Sequence, residues 1–211
     1  MKALHVLRTL FPPHFDAWYR STTILDDHEK TQTIPWINLA QRFGAYPFLP
    51  AMFINCCALS EEELASGFRT ADGATHYLPP EDLVRHRNLS RELCSSVPPA
   101  LYRALEKFTS LCTEHPDTCS AGVAAAAQDI KATFFRAPGV PNDPFPRWGR
   151  YSKKMARHGV CAECEGLLEN RWKEELGAIW STLPQIMNLQ LSGQQVLTGS
   201  VDSQLPDGVV S

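Results

Sequence analysis

Seven cysteines are the residues best suited to chemistry in this chain, and one pair of them has metal-ligand spacing. Cys161 and Cys164 form a C-x-x-C pair at the entry to a predicted helix. There both sulfurs can converge on one point, and the helix N-terminus favours thiolate. Cys112 and Cys119 are the natural second pair. They flank the turn TEHPDT, at the end of one predicted helix and the start of another. Four thiolates would complete a tetrahedral structural zinc site, and His115 could replace one of them. Such a site would pin the helix over 120–135 to the base of the terminal helix.

Only the Cys161–Cys164 pair has the short knuckle spacing, so two other readings stand beside zinc. The four could be small apolar residues that pack near helix ends. They could also be a redox pair with bystanders, although no thioredoxin-like βαβ pattern accompanies them. An odd number of cysteines excludes complete intramolecular pairing, and in a reducing compartment cysteines serve as core residues or metal ligands. Cys56, Cys57 and Cys94 sit within apolar helical patterns and read as packing residues.

Other chemistry is not signalled. There is no Gly-rich phosphate loop, no H-E-x-x-H and no G-x-S-x-G. The histidines at 5, 14, 28, 76, 86, 115 and 158 are scattered, mostly beside turns or on polar faces. Asp26-Asp27 and Glu61 to Glu63 look like a solvated loop and a helix N-terminus rather than a catalytic dyad. No catalytic residue and no organic cofactor site is expected.

The elements that must position the cysteines are helical. Leu167, Leu168, Trp172, Leu176, Ile179, Trp180 and Leu183 recur at helical spacing. Glu169, Lys173, Glu174 and Glu175 fall between them and are expected to face water, with Glu169 and Lys173 spaced as a favourable i,i+4 pair. Pro184 is expected to end this terminal helix at Leu183.

Upstream, Leu4, Leu7 and Leu10 mark a short helix closed by Pro12-Pro13, and Phe15, Trp18 and Tyr19 form an aromatic cluster. The polar stretch 22–33 reads as a loop. Pro35 suits the first position of a helix that Gly44 ends. The apolar run over 47–57 reads as a buried helix from Leu49, and Ser60 with Glu63 forms a capping box for a helix ended by Gly67. A further helix follows Pro79-Pro80. Pro98-Pro99 is expected to break it, with a separate helix running from Leu101 to near Cys112. The alanine-rich stretch 120–135 favours helix, and 137–146 reads as a loop. Trp148, Tyr151 and Met155 share one helical face, capped by Gly159. The best strand candidate, Thr75 to Leu78, is very short. The fold class is therefore all-α: an irregular array of about eight or nine helices with no substantial sheet. Residues 1–191 form the helical domain, and 192–211 read as a disordered tail.

These residues carry a resemblance. ALHVLRTLFPPHFDAWY, then IPWINLAQRFGAYPFLPAMFINCC, then SEEELASGF, then HGVCAECEGLLENRWKEELGAIWSTLPQIMNL follow in an order that resembles the region after the BTB (POZ) core in fungal BTB-domain proteins. That family typically shows a helix leading into "fP", then "nLAr…LPaAfY.Cc", and a closing C-x-x-C helix that finishes in "W..LP..f.L". The resemblance covers most of residues 1–191. It implies a protein-interaction role, since BTB proteins commonly dimerise or act as adaptors, some for cullin-type ubiquitin ligases. It also implies that most of the BTB core would precede Met1.

Composition agrees with a soluble interaction protein: the chain is 44% hydrophobic and 20% charged, ordinary for a globule. A net charge of −3 gives no electrostatic case for nucleic acid as the main partner. No apolar run is long enough for a membrane span, and the N-terminus has no signal-peptide pattern. An intracellular home, in cytoplasm or nucleus, is expected. The reading is a non-enzymatic protein–protein interaction module, adaptor or transcription-related. The alternatives are a zinc-stabilised regulator binding nucleic acid, for which the basic stretch RWGRYSKKMARH is the candidate, and an enzyme of unrecognised type.

Overall fold

A computed structural model describes residues 2–21, 31–106, 112–136 and 143–189. The described residues form nine α-helices and one two-stranded hairpin. The helices are α1 (Lys2–Leu10), α2 (Phe15–Arg20), α3 (Thr33–Arg42), α4 (Leu49–Cys56), α5 (Glu61–Ser66), α6 (Pro80–Glu106), α7 (Pro116–Arg136), α8 (Gly149–Arg157) and α9 (Ala162–Ile186). The hairpin pairs β1 (Phe68–Arg69) with β2 (Thr75–His76), antiparallel. The architecture is all-α, as the periodicity predicts. Among the described residues, no helix is long and apolar enough to cross a membrane. The expected tail over 192–211 lies outside the described residues, as does most of the loop expected over 22–33. Thr33, the last residue of that stretch, is helical and fully buried.

The core is organised on α6 and α9, the pair in most extensive contact. Leu168, Trp172, Leu176, Ile179 and Leu183 are buried along α9, on the face that the spacing predicts. Leu89, Leu93, Val97, Ala100, Leu101, Ala104 and Leu105 form the facing stripe of α6. That stripe runs without interruption through Pro98 and Pro99, which lie inside the helix. The expected break there, and the separate helix after it, are therefore corrected. Each proline removes one backbone bond and crowds the carbonyl four residues earlier. Those carbonyls belong to Cys94 and Ser95, both exposed, where water can satisfy them. Burying one continuous apolar face against α9 outweighs that local cost. Helix α6 is described to Glu106, and the expected helical end just before Cys112 falls on residues outside the described ones.

Pro184 is a smaller case of the same effect. Helix α9 runs two residues past it in sequence to Ile186, and then closes through Asn188 in the left-handed region, φ 49°. The Leu189 N–H donates to the Pro184 carbonyl across that closure at 2.9 Å.

The local stop signals act where expected. Gly44, Gly67 and Gly159 all have positive φ, and the Ser60–Glu63 capping box forms in both directions. The polar residues of α9 do more than face water. Lys173 pairs with Asp16 of α2 at 2.7 Å, and Glu175 accepts from Arg103 of α6. Lys173 thus ties α9 to its neighbour α2. Aromatic packing reinforces that junction, with Trp18 5.4 Å from Trp180 and 5.1 Å from Phe145. Asp82, in the first turn of α6, is fully buried, and accepts from Gln41 of α3 at 2.7 Å and from Arg85 at 2.6 Å. Trp148, the N-cap of α8, and Tyr151 and Met155 within it are buried, and the basic residues of α8 lie on the other side. The tryptophan and tyrosine of the basic stretch are therefore core, not stacking platforms for bases.

Candidate metal centre

The N-termini of α7 and α9 meet, and four sulfurs lie between them. Cys119 is in the first turn of α7, and Cys164 is in the first turn of α9. Cys161 is the N-cap of α9, with extended backbone, and Cys112 precedes α7 on irregular backbone. The four Sγ atoms all lie within 4.8 Å of one another. Cys112 Sγ and Cys161 Sγ are 4.0 Å apart. A tetrahedron with metal–sulfur bonds of about 2.3 Å has edges of about 3.8 Å. The cluster therefore needs only a small contraction to hold an ion. No sulfur position is left to be supplied by another residue, so the site is closed in the manner of a structural centre.

Backbone N–H groups support the sulfurs. The His115 N–H donates to Cys112 Sγ at 3.2 Å, and the Cys161 N–H donates to Cys119 Sγ at 3.5 Å. His115 thus serves the site through its backbone, while its side chain is exposed and stands outside the four-sulfur cluster. The open choice between four cysteines and a histidine substitute falls to the cysteines.

The thiols divide by environment. The Cys164 backbone N–H, together with its thiol, holds Cys161 below the ordinary cysteine range. Cys119 also accepts a stabilising bond from the Cys161 N–H, but burial and the neighbouring thiols leave it raised overall. Burial, then the adjacent thiols, push Cys164 well up. A bound dication would override those differences, because its charge would far exceed any other in the site and would hold all four coordinating thiols as thiolates. The positive ends of two long helices favour the same four-thiolate state.

Gly122 is a positioning residue that the sequence reading passes over. A Cβ built there would lie 2.4 Å from the His158 carbonyl oxygen and 3.1 Å from Val160. Only glycine lets α7 approach the segment leading into α9 so closely, and that approach places Cys119 beside Cys161. A signal was available: one glycine in an alanine-rich helix costs about 1 kcal/mol relative to alanine, so it invites a packing reason. Gly122→Ala is expected to destabilise the chain by about 1–3 kcal/mol, the usual cost of overpacking against unyielding backbone. Urea denaturation would measure it. A stabilised variant would mean that the close approach is not needed. The contact between α7 and α8 is completed by His158 Nε2 and Asp129 Oδ2, 2.8 Å apart, and the imidazole keeps that carboxyl below its usual range.

The remaining cysteines separate. Cys56 and Cys57 are buried, and burial raises both thiols, as expected of packing residues. Cys94 is exposed, which corrects its expected packing role. It sits on the outer side of α6, just before the prolines.

No family model matches the chain, and neither a curated protein nor a solved structure matches it.

Proposed function

We propose that the chain is a non-enzymatic protein-interaction module, a helical scaffold fastened at one end by a structural zinc ion. The closed four-sulfur cluster carries this reading. It commits four of the chain's seven cysteines to one site and shields three of them from water. That suits a fastener rather than a reaction centre, which needs an open coordination position. Four soft thiolates within 4.8 Å of one another fit zinc best among the common intracellular ions. Zinc thiolates also suit the reducing intracellular compartment that the cysteine usage implies.

Surface chemistry supports the interaction half. Tyr77 and Val84 are each more than half exposed, and Leu83 is exposed beside them. Tyr77 and Leu83 line one groove, whose floor includes Leu59, Leu64 and Leu78. Adjoining exposed apolar side chains at a groove mark partner surfaces more often than isolated ones do. The resemblance to the post-core region of fungal BTB proteins points the same way, towards an adaptor.

Two measurements test the reading. Metal analysis of protein purified without chelator is expected to give about one zinc per chain, and much less rejects the fastener. A Tyr77→Ser, Val84→Ser double variant is expected to keep its zinc and melting temperature. It should lose the partners that the parent retains in affinity capture. Unchanged partners would reject this surface as the docking face.

A further inference from the structure

We infer that Cys161 is a peroxide-sensitive modification site, and that its oxidation releases the metal by forming a disulfide with Cys112. This inference rests on the zinc reading above.

Access selects the sulfur. Cys119 and Cys164 are wholly covered and Cys112 is 7% exposed, whereas Cys161 is only partly buried. An oxidant must touch the sulfur that it attacks, and a metal-bound thiolate keeps lone pairs to offer it. All four sulfurs lie within 4.8 Å of one another, so the backbone selects the partner. Cys112 Sγ lies 4.0 Å from Cys161 Sγ, and a disulfide needs about 2.05 Å, so one or both side chains must turn. Cys112 lies on irregular backbone and Cys161 on an extended N-cap residue, so both can adjust without unwinding a helix. Cys119 and Cys164 each stand inside a first helical turn, where movement would disturb the helix. The two sulfurs freest to move are thus the two most accessible.

The steps balance with hydrogen peroxide as oxidant. The Cys161 thiolate attacks one peroxide oxygen, the O–O bond breaks, and hydroxide leaves, giving a sulfenic acid. The Cys112 thiolate then attacks that sulfur, and a second hydroxide leaves as the S–S bond forms. Both hydroxides take protons and become water. Two sulfurs are oxidised by one electron each, and one peroxide is reduced by two. Zinc loses two ligands and departs, and Cys119 and Cys164 take up one proton each. The disulfide joins the same two segments that the metal joined. One fastener therefore replaces the other, and the junction of α7 with α9 persists in both redox states.

The test is a peroxide titration of zinc-loaded protein carrying Cys94→Ser, which removes the exposed thiol outside the cluster. Released zinc is followed with a colorimetric chelator, and thiols are mapped by mass spectrometry. The expected result is one zinc released per Cys112–Cys161 cross-link. At early times, oxidation at Cys161 should exceed that at Cys119 or Cys164 by about tenfold. Dithiothreitol and zinc are expected to restore the starting state. A Cys161–Cys164 cross-link, sulfinic acid at Cys161 without any cross-link, or metal retained while Cys94 of the parent oxidises would each overturn the inference. Metal analysis before peroxide separates the two claims. A chain that never held zinc defeats the earlier reading, whereas a zinc-loaded chain that oxidises elsewhere defeats this one.

Discussion

Removing the metal with a chelator is expected to lower the melting temperature by about 8–16 °C. The figure follows from linkage. Free zinc held a thousandfold above its dissociation constant stabilises the fold by about 4 kcal/mol, and each kcal/mol moves the midpoint of a chain this size by about 2–4 °C. Cys164→Ser in zinc-replete buffer is expected to fall in the same range, because it removes one buried ligand and opens the site. Neither change should abolish helical structure. The stripe of α6 against α9 extends far beyond the cysteines, and Leu101, Trp172 and Leu176 do not depend on them for burial. The loss is therefore expected to be local. Hydrogen exchange should quicken over 116–124 and 159–165 while amides around 168–180 stay protected. Acid should act in the same direction, since ligand thiolates must bind protons when zinc leaves. A melting temperature unmoved by chelation would remove the metal from the account of stability.

The sequence reading reached the site because its signals are local. A C-x-x-C pair at a helix entry and two cysteines around a proline-containing turn place sulfurs at helix N-termini whatever the tertiary packing. The Ser60 cap, the helix-ending glycines Gly44, Gly67 and Gly159 and the Trp172 stripe are equally local, and all form as expected. What could not be read depends on partners distant in the chain. Pro98-Pro99 breaks a helix in isolation, but the apolar face on both sides of it already runs in one helical register, and α9 supplies the surface that makes continuity worthwhile. Weighing the stripe from Leu89 to Leu105 as one period would have corrected the break. Lys173 illustrates the opposite limit: its expected neighbour Glu169 is four residues away, but Asp16 on α2 takes it instead. Nothing in the local sequence decides between those two carboxylates. Gly122 lies between these cases, since its cost within the helix is legible and its reason, the His158 carbonyl, is not.

Trp172→Ala is expected to be the most damaging single change outside the cysteine cluster. Trp172 is fully buried at the middle of α9, with Tyr151 of α8 meeting its ring edge-on at 6.0 Å. Its indole N–H donates to the Pro146 carbonyl at 2.9 Å, tying α9 to the segment that leads into α8. Truncation empties a site surrounded by packed side chains, and such changes cost about 3–5 kcal/mol. It also leaves the buried Pro146 carbonyl without its donor, which adds about 1–3 kcal/mol where water cannot enter. Trp172→Phe separates the two contributions. It keeps most of the apolar volume and loses only the donor and part of the ring, so about 1–3 kcal/mol is expected. Urea denaturation of both variants, with zinc content measured in parallel, would check this. Zinc is expected to remain bound in the phenylalanine variant, because the bond to Pro146 is made at the middle of α9, whereas the four sulfurs gather at the N-termini of α7 and α9. If the alanine variant cost no more than the phenylalanine variant, ring volume would contribute nothing. The α6–α9 core would then have to be held by the smaller side chains alone.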